Sequence, residues 1–151
     1  MIRPAREADL DGLASLRHAL WPDADVAGHR AELTEAMAAP ESEAIRFVAV
    51  HDGEVIGFAE AALRRDHVNG CDTSPVAFLE GIYVAPEHRT GGVARALCSA
   101  VERWGAALGC VELGSDADLA NVASHSFHAA IGFEETERVV FFRKRLSPSR
   151  P

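Results

Sequence analysis

Residues 83–97, YVAPEHRTGGVARAL, constrain this chain more than any other stretch. An apolar run suited to a strand stops at Pro86, and Arg89, Thr90, Gly91 and Gly92 follow. Val93, Leu97, Val101, Trp104 and Leu108 then recur at helical spacing. A strand, a glycine loop and a long helix in that order gather unpaired N–H groups and the positive end of a helix dipole at one spot. The glycines let that backbone approach a ligand closely. The expectation is an anion site of phosphate type. Neither the GK[ST] ending of a nucleoside-triphosphate loop nor G-x-G-x-x-G of a dinucleotide fold is present. Alone, the stretch is a moderate signal, and a glycine-rich helix entry that holds nothing stays open as the lesser reading.

The surrounding sequence supplies the partners. Ile2-Arg3 begins a short strand, and Asp9 caps a helix with Leu10, Leu13, Leu16 and Leu20 inward, ending near Trp21-Pro22. Asp25 caps a second helix bearing Val26, Leu33 and Met37, stopped by Pro40. The runs at 45–50 and 54–63 around His51-Asp52-Gly53 form a hairpin. Residues 64–75 are polar and turn-rich, and 76–84 is a strand interrupted at Glu80-Gly81. Gly109 closes the helix that starts at Val93, a strand follows at 110–116, and Gly132 ends a helix over about 118–131. A closing strand is expected at 138–146, RVVFFRKRL. The order βααβββαβαβ predicts one α/β (α+β) domain over 1–151, with a mixed, mostly antiparallel central sheet and helices on both faces.

Bulk properties narrow the partners. With 23 acidic against 15 basic residues and a formal charge of −8, no basic face is offered to nucleic acid or an anionic membrane. The balance is compatible with a cationic partner, although an acidic surface more often serves plain solubility. Three cysteines without C-x-x-C spacing indicate neither a disulfide framework nor a zinc site. Besides His128, the histidines form no H-x-H or H-x-x-x-H set, so no metal is expected. The N-terminal MIRPAREADLDG lacks a signal peptide's apolar core, and a reducing cytoplasm is the expected setting.

Two blocks then act together. Arg89, Gly92 and Ala94 match Q/R-x-x-G-x-G/A, and Asn121, Ser124, Gly132 and Phe133 match N-x-x-[AS]-x-x-x-[Y]-x-x-x-G-F, with His128 at the tyrosine position. In this the chain resembles the GCN5-related N-acetyltransferase (GNAT) superfamily, in which the first block binds the pyrophosphate of acetyl-coenzyme A. Four further segments, Leu20-Trp21, 67–84, 115–125 and 132–142, make it most similar to the aminoglycoside 6′-N-acetyltransferases. The resemblance implies a GNAT acyltransferase fold and acetyl-CoA as co-substrate. It implies a cofactor site at Ile82, Tyr83, Val84, Arg89, Thr90, Gly91, Gly92, Val93, Ala94, Asn121 and His128. Glu80, Asp116 and Glu137 are implied around the acceptor amines, and a homodimer is the common assembly.

Acetyl transfer asks for a polarised thioester carbonyl, which a backbone N–H on Ile82–Val84 can supply. It also asks for a carboxylate to take a proton from the acceptor ammonium. Asp116, at a strand end, and Glu80, at an irregular strand position, are the candidates. Either is also readable as a solvated surface acid. His128 replaces the superfamily's tyrosine acid, and is either a proton donor to the sulfur or a structural helix histidine. Trp21, followed by Asp23 and Asp25, suits a cationic sugar, or is a core tryptophan at a helix end. His67 stands where the resemblance more often places an aromatic acceptor contact. No cysteine suggests a covalent acetyl-enzyme, so direct attack in a ternary complex is expected. Two alternatives stay open: a polyamine, other small amine or protein N-terminus as acceptor, and a CoA-binding sensor without turnover.

Overall fold

The computed structural model describes residues 1–148. Five strands run in the order β1 (Ile2–Pro4), β2 (Ala44–His51), β3 (Glu54–Arg64), β4 (Val76–Val84) and β5 (Leu113–Ser115). The first four pair antiparallel, and β5 joins β4 in parallel. Helices α1 (Leu10–Leu20), α2 (Val26–Ala36), α3 (Val93–Ala107) and α4 (Val122–Ala130) complete the fold. This is the expected mixed, mostly antiparallel sheet.

Each face of the sheet has its own apolar layer. Leu10, Leu13 and Ala14 of α1 and Leu33 of α2 pack on Val48 and Phe58. Leu97, Ala100 and Val101 of α3 cover Phe47, Ala59, Leu79 and Val84 on the other side. Alternation along β2 and β3 sends neighbouring side chains to opposite layers, so both strands read as near-continuous apolar runs. Full burial of Phe58, Leu13, Leu33 and Leu97 contributes roughly 1.5–3 kcal/mol each.

The helix starts are fixed in two different ways. Asp25 caps α2 as expected, its carboxylate accepting from Gly28 N–H at 2.7 Å. Asp9 precedes α1, but its side chain does not cap that helix. It pairs instead with Arg3 at 2.6 and 2.9 Å and accepts from Arg6 N–H at 2.7 Å, closing the turn before α1.

The closing strand expected over 138–146 is absent: residues 134–148 carry no regular structure, and Val140, Phe141 and Phe142 are exposed. The composition favours β structure, but a strand also needs an edge to pair with, and none among the described residues receives this segment. The strand expected over 110–116 contracts to three residues, and the last helix starts at Val122, capped by Asn121.

Candidate acyl-transfer site

The sheet opens where β4 and β5 part. Parallel pairing covers only Ala77, Phe78 and Leu79 against Leu113, Gly114 and Ser115. From Glu80 onward, β4 has a strand neighbour only on its β3 side. The N–H of Ala85 donates to the Ile56 carbonyl at 2.8 Å. Alternation therefore turns Tyr83 N–H toward β3 and the N–H groups of Ile82 and Val84 toward the opening. Of the three expected strand donors, Ile82 and Val84 are thus available to polarise a carbonyl.

The glycine loop stands at the end of the same strand. A short 3-10 turn, Pro86–His88, leads to Arg89, and Gly92 takes φ +76° as N-cap of α3. That left-handed conformation is why glycine is needed there. No side chain caps α3 and its first turn holds no acid. Among the described residues, no backbone carbonyl accepts from the N–H groups of residues 90–95. Thr90, Gly91, Gly92, Val93 and Ala94 therefore form a cradle of donors on a positive helix end. Arg89 is held beside it, donating from Nε to the Val84 carbonyl at 2.9 Å with its guanidinium 5.1 Å from the Tyr83 ring centre. These residues fit a pyrophosphate.

A cleft of about 660 Å³ lies next to the opening and is lined by His67, Asp116, His128 and Glu137, among others. Its walls come from the 64–75 loop, the residues after β5, α4 and the 134–141 segment. Asp116 is exposed, one residue beyond the end of β5. Four expected site residues from four separate parts of the chain therefore share one cavity.

Glu80 sits just outside that lining. The β3–β4 register slips between Glu60 and Ala61, pairing Gly81 with Glu60 and Leu79 with Ala61, so Glu80 is the extra residue of a bulge. Its carboxylate accepts from Arg64 at 2.9 and 3.0 Å, and the Arg64 guanidinium stacks 3.6 Å from the Phe78 ring centre. Arg64 lines the cleft and links Glu80 to it. Trp21 rests against Gly81 of the same bulge, where any Cβ would overlap its indole. It also meets Phe58 edge-on, with ring centres 6.1 Å apart.

Asn121 and His128 already have partners within the chain. The Asn121 side chain accepts from Ser124 N–H at 3.1 Å. His128 Nδ1 lies 2.7 Å from the Ser124 carbonyl and Nε2 lies 2.8 Å from Ser115 Oγ. Sequence reasoning missed Arg64 and Ser115, the groups that hold Glu80 and His128. Arg64 ends an alternating strand, which alone does not distinguish it from any surface arginine.

None of the three thiols is among the residues lining the cleft. Cys98 is buried in α3, and burial with Glu102 nearby pushes its pKa up to about 11. Among the described residues, no group of three His, Cys, Asp or Glu side chains is placed to hold a metal. No helix among them is long and apolar enough to cross a membrane.

A splayed β4–β5 pair, free strand donors and an uncapped helix behind a glycine loop define an acyl-CoA-type transferase site. The chain belongs to the Acetyltransferase (GNAT) family, whose sequence pattern matches residues 13–133. It is 51% identical over 148 residues to the aminoglycoside N(6')-acetyltransferase type 1 of Stenotrophomonas maltophilia, covering 98% of this chain and 95% of that one. The Serratia marcescens protein of the same name is 51% identical over 138 residues, covering 91% and 94%. Among solved structures, AAC(6')-Iy in complex with the bisubstrate analogue CoA-S-monomethyl-acetylneamine superposes with a TM-score of 0.88 at 47% identity, covering 97% and 98%.

Proposed function

We propose that this chain transfers acetyl from acetyl-coenzyme A to the 6′-amine of an aminoglycoside, by direct attack within a ternary complex. The carrying observation is the meeting of the α3 donor cradle, the open strand edge and the carboxylate-bearing cleft. The cradle takes the pyrophosphate, and the N–H of Ile82 or Val84 faces the thioester oxygen as negative charge develops on it. Asp116 takes the proton from the acceptor ammonium, directly or through a water, and the neutral amine attacks the carbonyl carbon. The C–S bond then breaks and coenzyme A leaves as the thiol, the proton it needs coming from solvent or the amine.

Glu80 and Glu137 hold the remaining ammonium groups of a polycation, and Trp21 and His67 flank the sugar rings. The net charge of −8 speeds capture of such a substrate. His128 orders the end of β5 through Ser115 in this reading. The cytoplasm, where acetyl-CoA is drawn on, is the setting that goes with it.

A homodimer belongs to the same proposal. Phe141 and Phe142 are 85% and 91% exposed, flanked by Val140 and Leu146 at 70% and 87%. Apolar side chains this bare along one segment mark an interaction site, and a second copy covers them here. Val139 and Phe141 also line the cleft, so dimerisation shapes the acceptor site. Thiol release from acetyl-CoA on adding an aminoglycoside panel tests the reaction. Release with simple polyamines but with no aminoglycoside would instead favour the other acceptor class.

A further inference from the structure

Beneath Trp21 lies a buried ionic cluster that the chemistry above does not use. Glu60 and Arg17 are 7% and 5% exposed. Arg17 Nη1 is 3.3 Å from Glu60 Oε1, and Arg46 Nε is 3.9 Å from the same oxygen. Register explains the arrangement: Arg46, Glu60 and Gly81 stand side by side across β2, β3 and β4, on the face covered by α1. Arg17 reaches down from α1, and its other amino group pairs with Glu32 of α2 at 3.0 Å.

Arg17 and Glu60 of this cluster both lead to Trp21, and His29 holds it from the side. The Arg17 guanidinium lies 5.2 Å from the centre of the indole ring. The Arg17 carbonyl accepts from Trp21 N–H at 2.7 Å, and the buried His29 Nε2 lies 2.9 Å from the Trp21 carbonyl. The indole in turn lies against Gly81, which is paired with Glu60 and adjacent to Glu80.

Stability does not account for the cluster. Burial drives the Glu60 carboxyl upward, and the charges of Arg17 and Arg46 pull it back only in part. Among the described residues, Glu60 Oε1, Arg17 Nε and Arg46 Nε have no hydrogen-bond partner. A buried ion set of this kind is often no more stable than apolar side chains of the same volume. What it does supply is a fixed place for Arg17, and hence for the indole above it.

We infer that Glu60 is a positioning residue of the acceptor site, anchoring Arg17 so that Trp21 is held against Gly81 beside Glu80. This rests on the proposal that Trp21 flanks the aminoglycoside. Glu60→Gln keeps the shape and removes the charge, leaving Arg17 and Arg46 to repel each other. In a Trp104→Phe background, Trp21 is the sole indole. Its emission reports the position of the side chain without any substrate.

The expected result is a shifted Trp21 emission and an aminoglycoside KM raised about tenfold, with the acetyl-CoA KM changed by less than about twofold. Glu60→Asp keeps the charge one methylene back and is expected to show about a threefold rise, so it provides the test where Glu60→Gln does not fold. Unchanged Trp21 emission, or equal changes in both KM values, overturns the inference. Emission that shifts while Trp21→Ala leaves the aminoglycoside KM unchanged supports the positioning by Glu60 and refutes the acceptor role of Trp21.

Discussion

His128 and Ser115 are joined across the end of the sheet, ring nitrogen Nε2 to hydroxyl oxygen, at 2.8 Å. Because Nδ1 faces the Ser124 carbonyl, which only accepts, the neutral ring carries its proton on Nδ1. Nε2 is then the ring's acceptor and faces the Ser115 hydroxyl, which also lies 3.3 Å from the Leu79 carbonyl, so the neutral ring has no free proton to give the departing sulfur. His128→Asn is accordingly expected to lower the unfolding temperature by several degrees while kcat stays within about threefold of wild type. A kcat loss of about a hundredfold at unchanged stability would restore the general-acid reading.

Asp116 carries the proton transfer in this account. Asp116→Asn should reduce kcat by about a hundredfold or more while leaving the acetyl-CoA KM near wild type. Steady-state kinetics with each substrate varied in turn provides the check. Retained kcat in this variant, with the loss falling on Glu80→Gln instead, would move the role to the bulge.

Gly92 bears the only positive φ in the cofactor loop, +76°, and a Cβ there would meet no atom within 4 Å. Gly92→Ala therefore costs about 1–2 kcal/mol through backbone conformation alone. It is also expected to raise the acetyl-CoA KM, because the loop backbone must hold its shape around the phosphates. Gly91→Ala, with no positive φ and its nearest neighbour at 3.9 Å, should cost less stability. Thermal unfolding paired with acetyl-CoA titration separates the two effects.

Acid stability depends in part on Asp9. The Arg3 guanidinium, followed by the Arg6 N–H, holds its carboxyl below the ordinary 3.8. An acid with a lowered folded pKa contributes stability above its unfolded pKa and loses it as pH falls through the folded value. Asp9→Asn should thus be less stable than wild type by about 1–2 kcal/mol at neutral pH, with the gap closing as pH falls below 3.8. Urea unfolding at a series of pH values measures it.

Cys98 is expected to resist alkylation in the folded protein at about pH 8, since its thiol is buried and ionises only near 11. It should react on unfolding. Peptide mapping after labelling with and without denaturant distinguishes the two states.

The proposed donor half of the site was legible in the sequence because it is local. Arg89 to Ala94 lie within one strand-to-helix junction, where residue type alone dictates backbone shape. The interruption at Glu80-Gly81 was legible too, and corresponds to the bulge opposite Glu60. The cleft proposed for the acceptor is assembled from 64–75, 115–116, α4 and 134–141, and no local rule brings those together. Glu60 stood in plain view as an acid within an otherwise apolar strand, yet its partners Arg17 and Arg46 follow only from register. The segment 138–146 was misread as a paired strand because composition records β preference but not whether a sheet edge receives the segment.

The most direct test is mass analysis of an aminoglycoside incubated with the protein and acetyl-CoA, beside an analogue with hydroxyl in place of the 6′-amine. The expected result is the mass of one added acetyl group on the 6′-amine of the first, and no product from the second. Absence of acetylation on both, with acetyl-CoA bound and the protein folded, would contradict it.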